Sequence, residues 1–125
     1  MPHAFDSNEA PPKAGPYSHA VRTGNVVFLS GQGPFDPATG EIPETFEEQV
    51  RQTLRNLGAA AKAAGGTLAD AVRVGVYLRE IENFAAMNEV YAEFFGEAKP
   101  ARTTVACQFA IPNIKLEVDA IAYKP

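Results

Sequence analysis

TFEEQVRQTLRNLGAAAKAAGG (residues 45–66), followed four residues later by AVRVGVYLR (71–79), is the stretch that decides the fold. In its first part Phe46, Val50, Leu54, Leu57, Ala61 and Ala64 recur at helical spacing, while Glu47, Glu48, Arg51, Gln52, Arg55 and Lys62 take the other side. Thr45 with Glu48 three residues on is a capping-box signature, and Gly65-Gly66 is a stop. From Ala71 the period changes to two, with Val72, Val74, Val76 and Leu78 on one face and Arg73, Gly75, Tyr77 and Arg79 on the other. A one-sided helix feeding a strand is the unit of an α+β or α/β sheet protein.

Upstream, Asn25 to Ser30 is a short apolar run between Gly24 and Gly31, the pattern of a central strand buried on both faces. Before it, Met1 to Pro16 mixes prolines, acids and small residues; residues 1–15 read as a flexible lead-in without the order of a secretory signal. Downstream, Asn83 is placed to cap a second helix carrying Phe84, Met87, Tyr91 and Phe94 on one stripe and ending at Gly96. Arg102 to Phe109 then reads as a strand, Ile111-Pro-Asn113 as a break, and Lys115 to Tyr123 as a final alternating strand. The expected order is β-β-α-β-α-β-β in one domain spanning residues 1–125, a mixed sheet with both helices on one face. In the last strand Glu117, Asp119, Ile121 and Tyr123 share a face that no element is left to cover. That count of faces predicts oligomerisation.

Composition narrows the chemistry. The 125 residues carry a net charge of −4, and the lysines and arginines are scattered, against the basic patch that nucleic-acid binding needs. No apolar run approaches membrane-spanning length. Cys107 is the only cysteine, read as a small buried hydrophobe in a strand; no intrachain disulfide can form, which suggests a reducing, cytoplasmic setting. With one cysteine and two histidines, His3 and His19, there is no ligand set at zinc spacing, and no metal is expected.

The informative pair is Arg102 and Glu117. If their strands are neighbours joined through the Ile111-Pro112 break, both lie toward the same end of a hairpin. A guanidinium grips a carboxylate with two parallel hydrogen bonds, and a half-buried glutamate can orient water or move a proton. From spacing alone, Arg102 reads more readily as a surface arginine at a strand start, and Glu117 as an ion-pair partner on a sheet face.

The wording around the pair adds a resemblance. APPKAGPYS (10–18), FLSGQ (28–32) with DPATGE (36–41), NFAAMNEVY (83–91), PARTTV (100–105) and LEVDAIA (116–122) occur in order. Together they resemble the Rid (YjgF-like) family of reactive-intermediate deaminases from about Ala10 to Tyr123. The resemblance implies a chorismate-mutase-like fold and a homotrimer around a central barrel, with clefts between subunits. It implies cofactor-independent hydrolysis of 2-imino or 2-enamino acids to 2-keto acids and ammonia. The family's carboxylate-binding arginine falls on Arg102, its water-positioning glutamate on Glu117 and its pocket tyrosine on Tyr17. Ser30, Gly31 and Asn88 match further substrate-binding positions, and Thr104 stands where many relatives carry cysteine, contributing its backbone. VACQFAIP (105–112) departs from the best-characterised branch and leaves the substrate's side chain open. Two other readings stand beside the 2-iminobutanoate/2-iminopropanoate deaminase: a trimeric binding protein for small carboxylates or keto acids, and an endoribonuclease or translation inhibitor.

Overall fold

The computed structural model describes residues 2–125. Its elements are β1 (His3–Phe5), β2 (Ala20–Thr23), β3 (Val26–Gln32), α1 (Phe46–Ala63), β4 (Ala71–Leu78), α2 (Phe84–Phe95), β5 (Ala101–Ala106) and β6 (Leu116–Tyr123). They form one mixed α+β layer pair: a six-stranded sheet in the order β1-β2-β3-β6-β4-β5 and two helices. Among the described residues β4 and β5 are the one pair of neighbouring strands that run parallel, and a helical crossover joins them. Among the described residues no helix is long and apolar enough to cross a membrane.

Helix α1 forms as its sequence dictates. The Thr45 hydroxyl accepts the Glu48 N–H at 3.2 Å, and the six apolar positions from Phe46 to Ala64 are all buried. At the far end Gly65, at φ +88°, lets its own N–H reach Lys62 O and that of Gly66 reach Ala61 O, closing a Schellman motif. The core is one cluster between the helices and one sheet face: Val27 and Leu29, Val74, Val76 and Leu78, and Leu116, Val118, Ala120 and Ala122.

Several expectations need correction. The lead-in is not structureless: His3–Phe5 adds an edge strand to β2, and the buried His19 ring pins the segment. His19 Nδ1 accepts the Ser7 N–H at 2.9 Å, so Nε2 carries the proton and donates to Pro11 O at 2.9 Å. The order thus gains a strand at its start, β-β-β-α-β-α-β-β. Strand β3 is buried on one face only, with Val27 and Leu29 inside but Phe28 46% exposed, because both helices lie on the other side. In β4 a bulge between Ala71 and Arg73 hands the core position to Ala71 and leaves Val72 50% exposed. Helix α2 is rotated from the expected stripe: Met87, Val90, Tyr91 and Phe95 are buried while Phe84 is exposed, and Asn83 makes no side-chain cap. Strand β5 stops at Ala106, where β4 runs out, and the half-buried Cys107 lies just beyond it, its N–H bonded to Leu78 O.

The largest correction concerns β5 and β6, which are not a hairpin. Strand β4 lies between them, because residues 107–115 carry the chain across its end before β6 returns antiparallel.

Candidate active site

Strand order splits the expected site residues into two groups. Arg102 stands opposite Val74 on β4, and Glu117 opposite Tyr77. Val74 points into the helix-covered core and Tyr77 to the open face, so within one chain Arg102 and Glu117 lie on opposite faces of the sheet. Three residues along and two strands across separate them by about 14 Å at ordinary strand spacings.

The first group gathers where α2 covers the sheet edge. Arg102 Nη2 donates to Asn88 Oδ1 at 2.7 Å. The guanidinium lies 4.8 Å from the Tyr91 ring centre and 5.8 Å from that of Phe84. Aromatic faces attract a cation without neutralising it. No carboxylate pairs with Arg102 among the described residues. Thr104, two residues on and on the same face, has a buried hydroxyl without a partner, as does Tyr91. Burial pushes the Tyr91 phenol above its ordinary 10.0, with the Arg102 charge acting the other way. Phe84 and Tyr91 were visible in the sequence as helix-stripe aromatics, and nothing in that pattern marks them as walls around a cation.

The second group surrounds Glu117. Its carboxylate lies against Gly31 so closely that a Cβ there would overlap Oε1. Glycine permits the approach at the β3 bulge between Leu29 and Gln32. Ser30 is fixed to the preceding loop, with Oγ donating to Ser18 O at 2.6 Å and its N–H to His19 O at 3.1 Å. Tyr17 is exposed, its hydroxyl accepting the Ala14 N–H at 3.2 Å. Together Tyr17, Gly31 and Glu117 line a small cleft, whose apolar wall includes Phe35, Ile111 and Ile114. That wall was missed because its members come from two separate loops with no shared pattern. Burial, and after it the charge of Asp119, raises the Glu117 pKa above the ordinary 4.5. Glu117 therefore holds a proton more readily than a free glutamate does.

One chain thus carries Arg102, bonded to a neutral amide, on one face and the half-buried Glu117 in its cleft on the other. Among the described residues no cluster of three or more His, Cys, Asp or Glu could hold a metal ion.

Comparison with known proteins is consistent along the whole chain. Residues 7–124 match the family model described as Endoribonuclease L-PSP. A RutC family protein of Pyrococcus horikoshii is 46% identical over 125 residues, covering 99% of each chain. A protein of Escherichia coli named "Putative reactive intermediate deaminase TdcF" is 38% identical over 127 residues, covering 99% of this chain and 98% of its own. The crystal structure of E. coli TdcF with bound serine superposes with a TM-score of 0.93 at 37% identity, covering 98% of this chain and 99% of that one.

Proposed function

The chain belongs to the Rid (YjgF-like) family, the Endoribonuclease L-PSP family of the matching model, and on that premise we propose that it hydrolyses reactive 2-imino or 2-enamino acids to 2-keto acids and ammonia. The observation that carries the reading is Arg102: a half-buried guanidinium, held by a neutral amide and two aromatic rings, without a paired carboxylate among the described residues. Such a group is prepared for a carboxylate. Serine in the TdcF crystal is a ligand of that size and carries a carboxylate, which supports the same reading.

On this reading Arg102 holds the substrate carboxylate and Glu117 aims the water, with Tyr17, Ser30, Gly31, Asn88 and Thr104 around them. Because the two halves lie about 14 Å apart on opposite faces, the site needs Arg102 of one chain and Glu117 of a neighbour. The uncovered face, with Phe28, Val105 and Tyr123 exposed, gives a second copy apolar surface to bury and supports assembly as a homotrimer. A protonated imine is already electrophilic, so alignment is the main task. Orienting two reactants removes up to roughly 7–11 kcal/mol of barrier in favourable cases. No cofactor enters the scheme.

The test is turnover of 2-iminopropionate and 2-iminobutyrate, generated by an amino-acid oxidase, by wild type and Arg102→Lys. Loss of activity in the folded variant is expected, since lysine cannot reproduce the bidentate grip. Unchanged turnover in Arg102→Lys and Arg102→Ala overturns the reading. Saturable 2-keto acid binding without accelerated hydrolysis would instead assign a binding protein. RNA cleavage that co-purifies with the chain would assign a nuclease, which its net charge of −4 does not favour.

A further inference from the structure

The open face carries a second carboxylate with its own fixed partner. The Tyr77 hydroxyl on β4 donates to Asp119 Oδ2 on β6 at 3.0 Å. Gly75 makes this possible, since a Cβ there would overlap both Asp119 Oδ1 and the Tyr77 hydroxyl. Each acid of the β6 open face therefore rests on a glycine of a neighbouring strand: Asp119 on Gly75 and Glu117 on Gly31. Strand alternation puts the two acids on one face, two residues apart. The hydrogen bond to Asp119, with burial, raises the Tyr77 phenol above its ordinary value, so Tyr77 remains a neutral donor.

We propose that Tyr77 and Asp119 form a positioning pair whose fixed negative charge prepares Glu117 to carry a proton from the attacking water to the departing nitrogen. The proposal rests on the role given to Glu117 above. Water oxygen adds to the iminium carbon, the C=N π pair moves to nitrogen, and Glu117 takes a water proton. Glu117 then returns that proton to nitrogen. The C–N bond breaks with its electron pair going to nitrogen, Glu117 takes the carbinol O–H proton as C=O forms, and that proton passes to the released ammonia. The products are the keto acid and ammonium. A carboxylate that binds its proton too weakly is a poor acceptor in the first transfer, and a neighbouring fixed anion corrects this.

The groups facing Glu117 are few. Asp119 shares its strand; Tyr77 stands opposite on β4, with Arg73 farther along that face; Ser30 and Gly31 flank it on β3; Tyr17 and His19 lie across the cleft. Asp119 is the only other anion in this set. Tyr77 and Asp119 touch no substrate in this scheme and act through Glu117.

The experiment uses the full assembled chain, labelled with ¹³C at glutamate carboxyls, as wild type, Asp119→Asn and Tyr77→Phe. Removing the charge is expected to lower the pH at which Glu117 titrates. Tyr77→Phe, which loses the bond that aims Asp119, moves it the same way. In kcat/KM the acid limb shifts down in parallel. One pH unit below the wild-type midpoint, Asp119→Asn keeps a roughly three-fold larger share of its plateau rate. A Glu117 midpoint that stays put in both variants overturns the proposal. Midpoints that move in a chain inactive on every imine would uphold the pair and defeat the functional reading instead.

Discussion

Asn88 accepts a hydrogen bond from Arg102 at 2.7 Å through a neutral oxygen, and among the described residues no carboxylate pairs with the guanidinium. The choice of amide over carboxylate at this position has a direct consequence. Asn88→Asp installs an internal anion at hydrogen-bond distance, which competes with the substrate carboxylate. Charge-assisted hydrogen bonds contribute about 1.5–3 kcal/mol, so KM for the imine is expected to rise on the order of ten-fold or more. Asn88→Ala, which only loosens Arg102, should be milder. Steady-state kinetics of the two variants check this, and an Asp variant no worse than the Ala variant would contradict it.

Opposite-face placement of Arg102 and Glu117 predicts complementation. Arg102→Ala and Glu117→Ala chains are each inactive alone. Mixed after dissociation and reassociation, they form some sites with an intact Arg102 from one chain and an intact Glu117 from the next. Random mixing in equal amounts restores about a quarter of the wild-type sites in a closed ring. Activity recovered on mixing measures this directly, and none recovered in verified mixed assemblies would mean that one chain supplies both groups.

Glu117 also links the site to stability. Its raised pKa means that the folded chain binds this proton more tightly than the unfolded one. Its contribution is therefore complete below the ordinary value of 4.5 and is lost as pH rises through the folded value. Glu117→Gln, which stays neutral, is expected to be more stable than wild type at neutral pH and to lose that advantage on acidification below 4.5. Urea denaturation across pH tests the sign; a variant less stable than wild type at neutral pH would be the wrong one.

Arg79 holds the loop that contributes Ile111 to the cleft. Its Nε donates to Ile114 O at 2.7 Å and its Nη2 to Ile111 O at 3.2 Å, and its guanidinium lies 5.1 Å from the Phe109 ring centre. Arg79→Met keeps most of the aliphatic stem and removes these bonds. The expected cost is about 1.5–3 kcal/mol in unfolding free energy. Faster amide hydrogen exchange confined to residues 107–115 is the signature that separates this from a general loss of packing.

Helix α1 and strand β6 were legible because each is specified by neighbours in sequence: Thr45 and Gly65 at the ends of one, strict alternation in the other. Strand order was not, since Lys115 to Tyr123 has the same pattern whether it pairs with β5 or inserts between β3 and β4. Residues 107–115 look like a turn in sequence, yet they carry the chain past β4, and only the fold records that distance. The same gap hid the geometry of the candidate site. Arg102 and Glu117 were both singled out, but placing them together required the hairpin that β4 interrupts. Phe84 and Tyr91 show in the sequence only as members of a helical stripe, because an aromatic facing a cation and one facing a leucine have the same helical spacing.

Two half-sites on opposite faces, if joined only between neighbouring chains, tie activity to mass action. A chain diluted below the dissociation constant of its assembly would keep its core, its Schellman-capped helix and its Arg102 cage, and still be inert. Specific activity would then fall with concentration while circular dichroism stayed constant. Production of active catalyst would scale more steeply than the number of chains made, so that a cell expressing little of this protein would have almost none of its function.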